Sequence, residues 1–202
     1  MRRLTHDQRR TELIEAAIRV IARDGLAAAS TRAIVTEADM PLGALHYIFS
    51  SRDALIRGVI EFVTDEERVA AMLGADIASG GEGTDLEKLI IAAIDAYLAT
   101  LEAKPNHELA LLEMAAHAMR HDRDAVTAQW ATYRESAAQG LAYVAEKAGV
   151  RWVQPTDDLA RYLVTWLDGL TVSWLADRDT AGARRTAALF ATSFAALAAA
   201  PI

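Results

Sequence analysis

The sequence lacks cysteine altogether and contains only four prolines in 202 residues. Without cysteine, a disulfide framework, a cysteine-ligated zinc site and a thiol nucleophile are excluded, and the composition fits a reducing compartment. No apolar run reaches the roughly 18 residues that a membrane span needs. The opening stretch MRRLTHDQRRTELIEA is too charged for a secretory signal peptide. These absences predict a cytoplasmic protein with no membrane partner.

Strand patterns are missing as well, because no stretch alternates polar and apolar residues in the way a half-buried strand does. Alanine, the strongest helix former, occurs 43 times. Hydrophobic residues make up 52% of the chain and charged residues 24%, which excludes disordered, collagen-like and low-complexity classes. The composition therefore predicts an all-α fold, with enough residues for one large domain or two small ones.

Positive charge is scarce overall, since the formal net charge is −7. This value alone argues against a nucleic-acid partner, but the charge is unevenly distributed. Residues 1–60 contain nine arginines and seven acidic residues, giving +2, whereas residues 61–202 contain twelve basic and twenty-one acidic residues, giving −9. A slightly basic N-terminal part on an acidic remainder favours phosphate contact by the N-terminal part only.

Capping residues and helix breakers predict about nine helices. The expected caps are Thr5 with Gln8, Ser30, Thr84 with Glu87, Asn106, Asp122, Thr156 and Thr180, and Pro41 is expected as the first residue of the third helix. Gly25 and Gly149 are expected to end helices, and residues 79–83 form the clearest loop. The predicted helices span about 6–24, 31–38, 41–48, 51–79, 85–104, 107–120, 123–148, 157–177 and 181–199.

The second and third predicted helices form a helix-turn-helix unit, with a turn at Asp39, whose side chain tolerates the left-handed conformation. Residues 30–52, STRAIVTEADMPLGALHYIFSSR, with the preceding IEAAIRVIARDGLAAAS, resemble the DNA-binding domain of the TetR family of bacterial transcriptional regulators. The residues that carry the resemblance are Ser30, Arg32, Ile34, Ala38, Gly43, Leu45, Tyr47 and Phe49. The sequence departs from the family pattern at Asp39 (usually Gly), Ile48 (commonly His or Tyr) and Arg52 (usually Lys).

The resemblance implies a DNA-binding domain at residues 1–50 and a helical ligand-binding and dimerisation domain at residues 51–202. It also implies a homodimer that binds a double-stranded DNA operator. The predicted DNA contacts are Arg2, Arg3, Thr31, Arg32, Leu42, Gly43, Ala44, His46, Tyr47 and Arg52.

The start of the recognition helix is unusually apolar for base discrimination, which normally uses Arg, Asn or Gln. Leu42 and Ala44 offer only apolar contact with thymine methyl groups, and Gly43 permits close backbone approach. Polar contacts to bases are therefore expected from Arg32 and from an N-terminal arm containing Arg2 and Arg3.

Four other side chains are expected at phosphates, where they would fix the position of the protein on the duplex: Thr31, His46, Tyr47 and Arg52. Tyr47 has an alternative interpretation, packing with Phe49 in the domain core.

Large side chains among the alanines of the C-terminal part suggest a cavity for a small hydrophobic ligand. The predicted ligand contacts are Tyr97, Leu101, Met114, His117, Trp130, Tyr133 and Trp166, with ordinary core packing as the alternative. Glu113, His117 and His121 are spaced by four on one helix face, which leaves open either a divalent metal ion or surface ion pairing with nearby arginines. The sequence predicts no cofactor.

The last two predicted helices are apolar on more than one face, so both faces must be covered. A second copy of the same pair would complete a four-helix, two-fold interface. The predicted interface residues are Leu163, Gly169, Leu170, Trp174, Phe190 and Phe194, and coverage within one chain is the alternative.

The function predicted from these features is a homodimeric transcriptional repressor released from its operator by a small hydrophobic ligand. The alternative is a protein of the same fold that organises the chromosome or binds a protein partner without an inducer. An enzyme is disfavoured because the sequence has no glycine-rich phosphate loop and no nucleophile elbow.

Overall fold

The computed structural model describes residues 5–80 and 84–200. Nine α-helices lie in these residues: α1 (His6–Asp24), α2 (Thr31–Glu37), α3 (Leu42–Ile48), α4 (Arg52–Ala78), α5 (Leu86–Ala103), α6 (Pro105–His121), α7 (Arg123–Ala148), α8 (Thr156–Asp177) and α9 (Thr180–Ala195). A short 3-10 turn, Leu26–Ala28, follows α1. The all-α prediction is confirmed.

A minimal antiparallel pair joins β1 (Arg151–Trp152) to β2 (Ala198–Ala199), with Arg151 opposite Ala199. The last helix was predicted to continue to about residue 199. It ends at Ala195 instead, and residues 198–199 leave the helix to pair with β1.

The predicted N-terminal caps at Asp122, Thr5 and Ser30 are present, and Asp122 accepts from the Ala125 N–H at 3.0 Å before α7. The Thr5 hydroxyl accepts from the Gln8 N–H while the Gln8 side chain accepts from the Thr5 N–H, which forms a reciprocal capping box. The Ser30 hydroxyl accepts from the Ala33 N–H and so begins α2.

Other predicted starts are wrong by one residue. Asp85 caps α5 by accepting from the Glu87 N–H, and Asp179 caps α9 by accepting from the Gly182 N–H, in place of Thr84 and Thr180. In each case an aspartate beside the predicted threonine supplies a carboxylate, which is a better acceptor at a helix N-terminus.

Two prolines take N-cap positions. Thr156 is the first residue of α8 and Pro155 is its N-cap, while Pro41 is the N-cap of α3 and not its first residue. Neither proline makes a side-chain capping bond.

The chain forms two compact units. Unit 1 comprises residues 1–63 and 106–130, and unit 2 comprises residues 64–105 and 131–202. The chain therefore passes between units within α4, at the start of α6 and within α7. This division differs from the functional boundary at residue 50, which stays a prediction.

The core of unit 1 brings together the apolar faces predicted from helical spacing. Its most deeply buried side chains come from α1, α2, α3 and α4: Leu13, Ile14, Ile18, Ile21, Ile34, Leu45, Leu55 and Val59. This core fixes α2 and α3 against α1, so the outer faces of the helix-turn-helix unit are presented on a rigid support.

The core of unit 2 is built mainly from α5, α8 and α9. Its buried side chains include Leu89, Leu98, Leu101, Leu159, Phe190 and Phe194. Polar contacts join α9 to α5 at its edge, where the Thr192 hydroxyl donates to Glu87 at 2.9 Å and the Arg184 guanidinium donates to Asp95 at 3.3 Å. Within residues 5–80 and 84–200, no helix is both long and apolar enough to cross a membrane.

Candidate nucleic-acid interface

The turn between α2 and α3 has a defined backbone geometry. Asp39 has a φ of +51°, in the left-handed region, as its residue type predicted. The Met40 N–H donates to the Val35 carbonyl at 2.8 Å and the Asp39 N–H donates to the Thr36 carbonyl at 3.2 Å. These two bonds form a Schellman motif, which ends α2 and fixes the direction in which α3 begins.

Helix α3 divides its side chains between core and solvent. Leu45 is fully buried against unit 1, whereas Leu42 is 50% exposed and Tyr47 is 71% exposed. His46 is also exposed, Ala44 is half-buried, and open space surrounds the position that a Cβ atom on Gly43 would occupy. The face of α3 opposite Leu45 is therefore free for a partner to contact.

Tyr47 does not pack in the core. Its exposure rules out the alternative in which it packs with Phe49, which is itself buried. The His6 ring lies edge-on to the Tyr47 ring at a centroid separation of 5.9 Å. This contact connects the start of α1 with the exposed face of α3, and His6 was not among the predicted site residues.

The start of α2 presents the other predicted contacts. Arg32 is exposed and Thr31 is half-buried. Arg2 and Arg3 lie outside the described residues. Their predicted role as a minor-groove arm stays a prediction.

The Arg52 side chain, predicted to contact a phosphate, is bonded to backbone carbonyl groups of its own chain. Its Nε donates to the Ala29 carbonyl at 2.9 Å and its Nη2 donates to the Leu26 carbonyl at 2.7 Å. The guanidinium thus holds the turn before α2. No sequence pattern indicates this role, because a lysine or arginine after the third helix is equally suited to a phosphate.

A charged cluster joins α1 to α2. Arg19 donates to Glu37 at 2.9 Å and to Glu12 at 3.1 Å, and Arg23 donates to Glu37 at 3.0 Å. Hydrogen bonds from Arg19 and then Arg23 lower the pKa of the Glu37 carboxyl below its ordinary value. Glu37, the last residue of α2, therefore fixes the first helix of the motif to α1.

The predicted ligand contacts are distributed over both units. Met114, His117 and Trp130 belong to unit 1, while Tyr97, Leu101, Tyr133 and Trp166 belong to unit 2. Within unit 2, the Tyr97 hydroxyl is hydrogen-bonded to the Thr171 hydroxyl, and the Trp166 ring stacks on Phe190 with centroids 4.0 Å apart. Their role in ligand binding stays a prediction.

The candidate metal ligands of α6, namely Glu113, His117 and His121, make contacts within the protein. The Glu113 carboxylate accepts from the Leu26 N–H at 3.3 Å, and the His117 and His121 rings lie 4.6 Å apart. In the part of the chain that the structure describes, no three His, Asp or Glu side chains are grouped to hold a metal ion.

Most of the predicted dimer-interface side chains pack inside unit 2. Leu170, Trp174, Phe190 and Phe194 are buried within the chain itself, so they are not at the surface as an interface requires. Much of the apolar excess of the last two helices is therefore covered within one chain.

The two remaining predicted interface residues are more accessible: Leu163 is half-buried and Gly169 is exposed. Other side chains of α8 and α9 are exposed instead, namely Tyr162, Val172 and Leu189.

Comparison with known proteins places this geometry among regulators. Residues 13–59 match the family profile described as "Bacterial regulatory proteins, tetR family". The nicotine-responsive transcriptional repressor HdnoR of Paenarthrobacter nicotinovorans is 28% identical over 177 residues, which are 87% of this chain and 88% of that protein.

Two solved structures have similar folds. The multidrug binding protein EbrR, crystallised with imidazole, has a TM-score of 0.63 and 26% identity, over 96% of each chain. A TetR-family protein from Streptomyces coelicolor A3 has a TM-score of 0.67 and 24% identity, over 96% of this chain and 99% of that chain.

The helix-turn-helix unit with its exposed α3 face and these similarities define the protein as a DNA-binding transcriptional regulator and not an enzyme. Its DNA-binding segment, residues 13–59, matches the tetR family of bacterial regulatory proteins, and its fold is similar to that of a solved member of that family.

Proposed function

We propose that the protein is a homodimeric repressor that binds a double-stranded operator through α2 and α3 and is released by a small hydrophobic ligand. The observation that carries the DNA part is the division of α3, with Leu45 buried and Leu42, His46 and Tyr47 exposed on the opposite side. A recognition helix needs such a face, since it lies in the major groove while its back packs on the domain core.

The proposed contacts follow the exposure of each side chain. Tyr47, His46 and Thr31 contact phosphates, and Arg32 contacts a base edge or a phosphate beside it. Leu42 and Ala44 contact thymine methyl groups, with the backbone at Gly43 close to the DNA. Arg2 and Arg3 extend into the minor groove. Arg52 acts by holding the turn before α2, because its guanidinium donates to two carbonyl groups there.

The proposed dimer surface lies on the outer side of α8 and α9. It comprises Tyr162, Gly169, Val172 and Leu189, whose exposure leaves apolar area for a second copy to cover. Two recognition helices in such a dimer would bind half-sites about one helical turn, roughly 34 Å, apart.

The ligand part of the proposal is supported by two relatives. One is named as a nicotine-responsive repressor and another as a multidrug binding protein solved with imidazole. Ligand binding in residues 51–202 would release DNA by stabilising a conformation in which the two recognition helices no longer fit both half-sites together.

Selection of binding sites from random DNA tests this function. We expect a two-fold symmetric sequence whose affinity falls with salt, because phosphate contacts release counterions. Repeating the selection with a panel of metabolites should identify a ligand that abolishes enrichment.

The variant Tyr47→Ala should abolish enrichment while leaving the unfolding curve unchanged, since the side chain is largely exposed. Enrichment of no sequence by the wild-type protein would contradict the DNA-binding part, and enrichment unaffected by every metabolite would favour a regulator without an inducer.

A further inference from the structure

Leu26 is held through both of its backbone polar groups by side chains from two different helices. Its N–H donates to the Glu113 carboxylate of α6 at 3.3 Å, and its carbonyl accepts from the Arg52 guanidinium of α4 at 2.7 Å. We refer to Glu113, the Leu26 backbone and Arg52 as the Leu26 clamp. All three residues belong to unit 1.

The backbone just before Leu26 is shaped to admit the Glu113 carboxylate. Gly25 has a φ of +83°, which L side chains rarely adopt, and a Cβ atom built there would lie 3.3 Å from Glu113 Oε1. Any other residue at position 25 would therefore be strained and would crowd the carboxylate. The Leu26 side chain is buried, so the residue is fixed on three sides.

The Leu26 clamp lies directly before the first helix of the DNA-binding motif. Arg52 also donates to the Ala29 carbonyl at 2.9 Å, and the Ser30 N–H donates to the Ala28 carbonyl at 2.7 Å. Ser30 in turn caps α2. The 3-10 turn held by the clamp therefore leads directly into the capped start of α2.

Helix α6 has a second contact with α1, so Glu113 is not an isolated attachment. The buried His107 ring lies with its Nε2 3.2 Å from Glu15 Oε2 of α1, and its ring centroid is 6.3 Å from that of Phe62 on α4. These contacts place α6 firmly in unit 1 with the helix-turn-helix motif, although it follows the motif by more than fifty residues in the chain.

We propose that Glu113 is a positioning residue for DNA recognition, through which α6 sets the orientation of α2 and α3. The carboxylate is the one part of the Leu26 clamp that comes from beyond α4, and it acts on the turn and not on DNA. Loss of this acceptor would leave the Leu26 N–H without its charge-assisted bond and loosen the turn before α2. The inference rests on the proposed DNA contacts of α2 and α3, and it does not depend on the identity of an inducer.

The test compares full-length wild type with Glu113→Ala and Glu113→Gln. The DNA probes are the duplex selected by the wild-type protein and a duplex of equal length and unrelated sequence. Glu113→Ala should weaken binding to the selected duplex about tenfold, the change produced by 1.4 kcal/mol, with little effect on the unrelated duplex. Glu113→Gln keeps an acceptor oxygen and should recover most of the loss. Hydrogen exchange at the Leu26 N–H should quicken in Glu113→Ala and less in Glu113→Gln.

Glu61→Ala provides the matched control, because Glu61 is an exposed carboxylate whose nearest cation, Arg10, is 4.0 Å away. It should bind both duplexes as the wild type does. The inference is overturned if Glu113→Ala keeps the wild-type ratio of affinity for the selected duplex to affinity for the unrelated duplex. It is also overturned if Glu113→Ala and Glu113→Gln reduce that ratio equally. If the wild-type protein itself selects no sequence, the proposed function fails. The rate of hydrogen exchange at the Leu26 N–H still decides whether Glu113 holds the turn.

Discussion

At the scale of single residues, substitution of Gly43 should affect DNA binding and folding stability in opposite directions. It lies inside α3, open space surrounds the position of an added Cβ, and its φ is not positive. Gly43→Ala should therefore stabilise the free protein by about 0.5 to 1 kcal/mol, because glycine is a poorer helix former than alanine. The same methyl group should weaken operator binding if the backbone approaches the DNA there.

Urea denaturation and operator titration of Gly43→Ala check this pair of effects. Gly140→Ala is a matched control, since Gly140 is also helical with open space around an added Cβ. It should give a similar gain in stability with unchanged DNA affinity. Equal operator affinity in both variants would remove Gly43 from the interface.

A second residue, Glu108 of α6, is expected to reduce stability in the wild-type protein. It is 8% exposed, and its Oε1 has no hydrogen-bond partner among residues 5–80 and 84–200. Burial of a carboxylate oxygen without a partner is unfavourable, and apolar residues of similar size often replace buried charges with a gain. Glu108→Met should raise the free energy of unfolding at pH 7 by about 1 kcal/mol.

Chemical denaturation of Glu108→Met and of the exposed-site control Glu61→Met measures this effect. The control should remain within about 0.5 kcal/mol of wild type, as is usual for surface substitutions. A loss of stability in Glu108→Met would show that the carboxylate makes favourable interactions with water or an ion.

At the scale of helices, the cluster between α1 and α2 makes stability depend on pH. Arg19 and Arg23 lower the pKa of Glu37 below its ordinary value near 4.5. The carboxylate therefore contributes its stabilisation fully above that value, and the contribution is lost as the pH falls through the lowered pKa. Glu37→Gln should be less stable than wild type at neutral pH and should lose less stability on acidification.

Thermal unfolding of both proteins between neutral pH and pH 3 checks this expectation. Glu12→Gln is a useful comparison, because among residues 5–80 and 84–200 the Glu12 carboxylate is bonded to Arg19 and not to Arg23. Parallel pH dependences of wild type and Glu37→Gln would mean that Glu37 does not join the two helices energetically.

The helices themselves were largely predictable because their signals are local. The capping box at Thr5, the cap at Ser30 and the left-handed Asp39 each depend on residues within five positions, and all three are present. Starts were misjudged by one residue where an aspartate stood beside a threonine, as at Asp85, because the capping-box spacing favoured the threonine over the better N-cap beside it.

The contacts that connect helices were not predictable in the same way. Glu37 meets Arg19 across 18 positions, and Glu113 meets Leu26 across 87. No periodicity or spacing relates such residues, since their meeting depends on how whole helices pack. For the same reason Arg52 was predicted at a phosphate although its guanidinium holds the turn before α2, and Phe190 was predicted at a dimer interface although unit 2 buries it.

At the scale of the whole molecule, Gly169 offers a test of assembly that leaves the single chain intact. Open space surrounds an added Cβ at this exposed position, so a side chain begins there without a clash in the isolated chain. In the proposed dimer the same side chain would separate packed helices, at a cost of about 1 to 3 kcal/mol. Gly169→Leu should therefore shift the protein toward monomer and weaken operator binding.

Sedimentation of wild type should give about twice the monomer mass of 21.9 kDa, and Gly169→Leu should give a lower average mass at the same concentration. Gly140→Leu, at another open helical position, should sediment as wild type does. A wild-type protein that is monomeric at micromolar concentration would refute the dimer and, with it, joint binding of two half-sites.

The two chain segments that form unit 1 also limit how chimaeras with similar regulators can be built. Unit 1 takes residues 106–130 from well beyond the helix-turn-helix motif, so the motif and its supports are not one continuous segment. A chimaera that grafts residues 1–50 onto a similar regulator would lose the contact of Glu113 with the Leu26 N–H unless the foreign α6 supplies an acceptor at the same place. Exchange of operator specificity by domain swapping should therefore succeed when α6 is transplanted together with the motif.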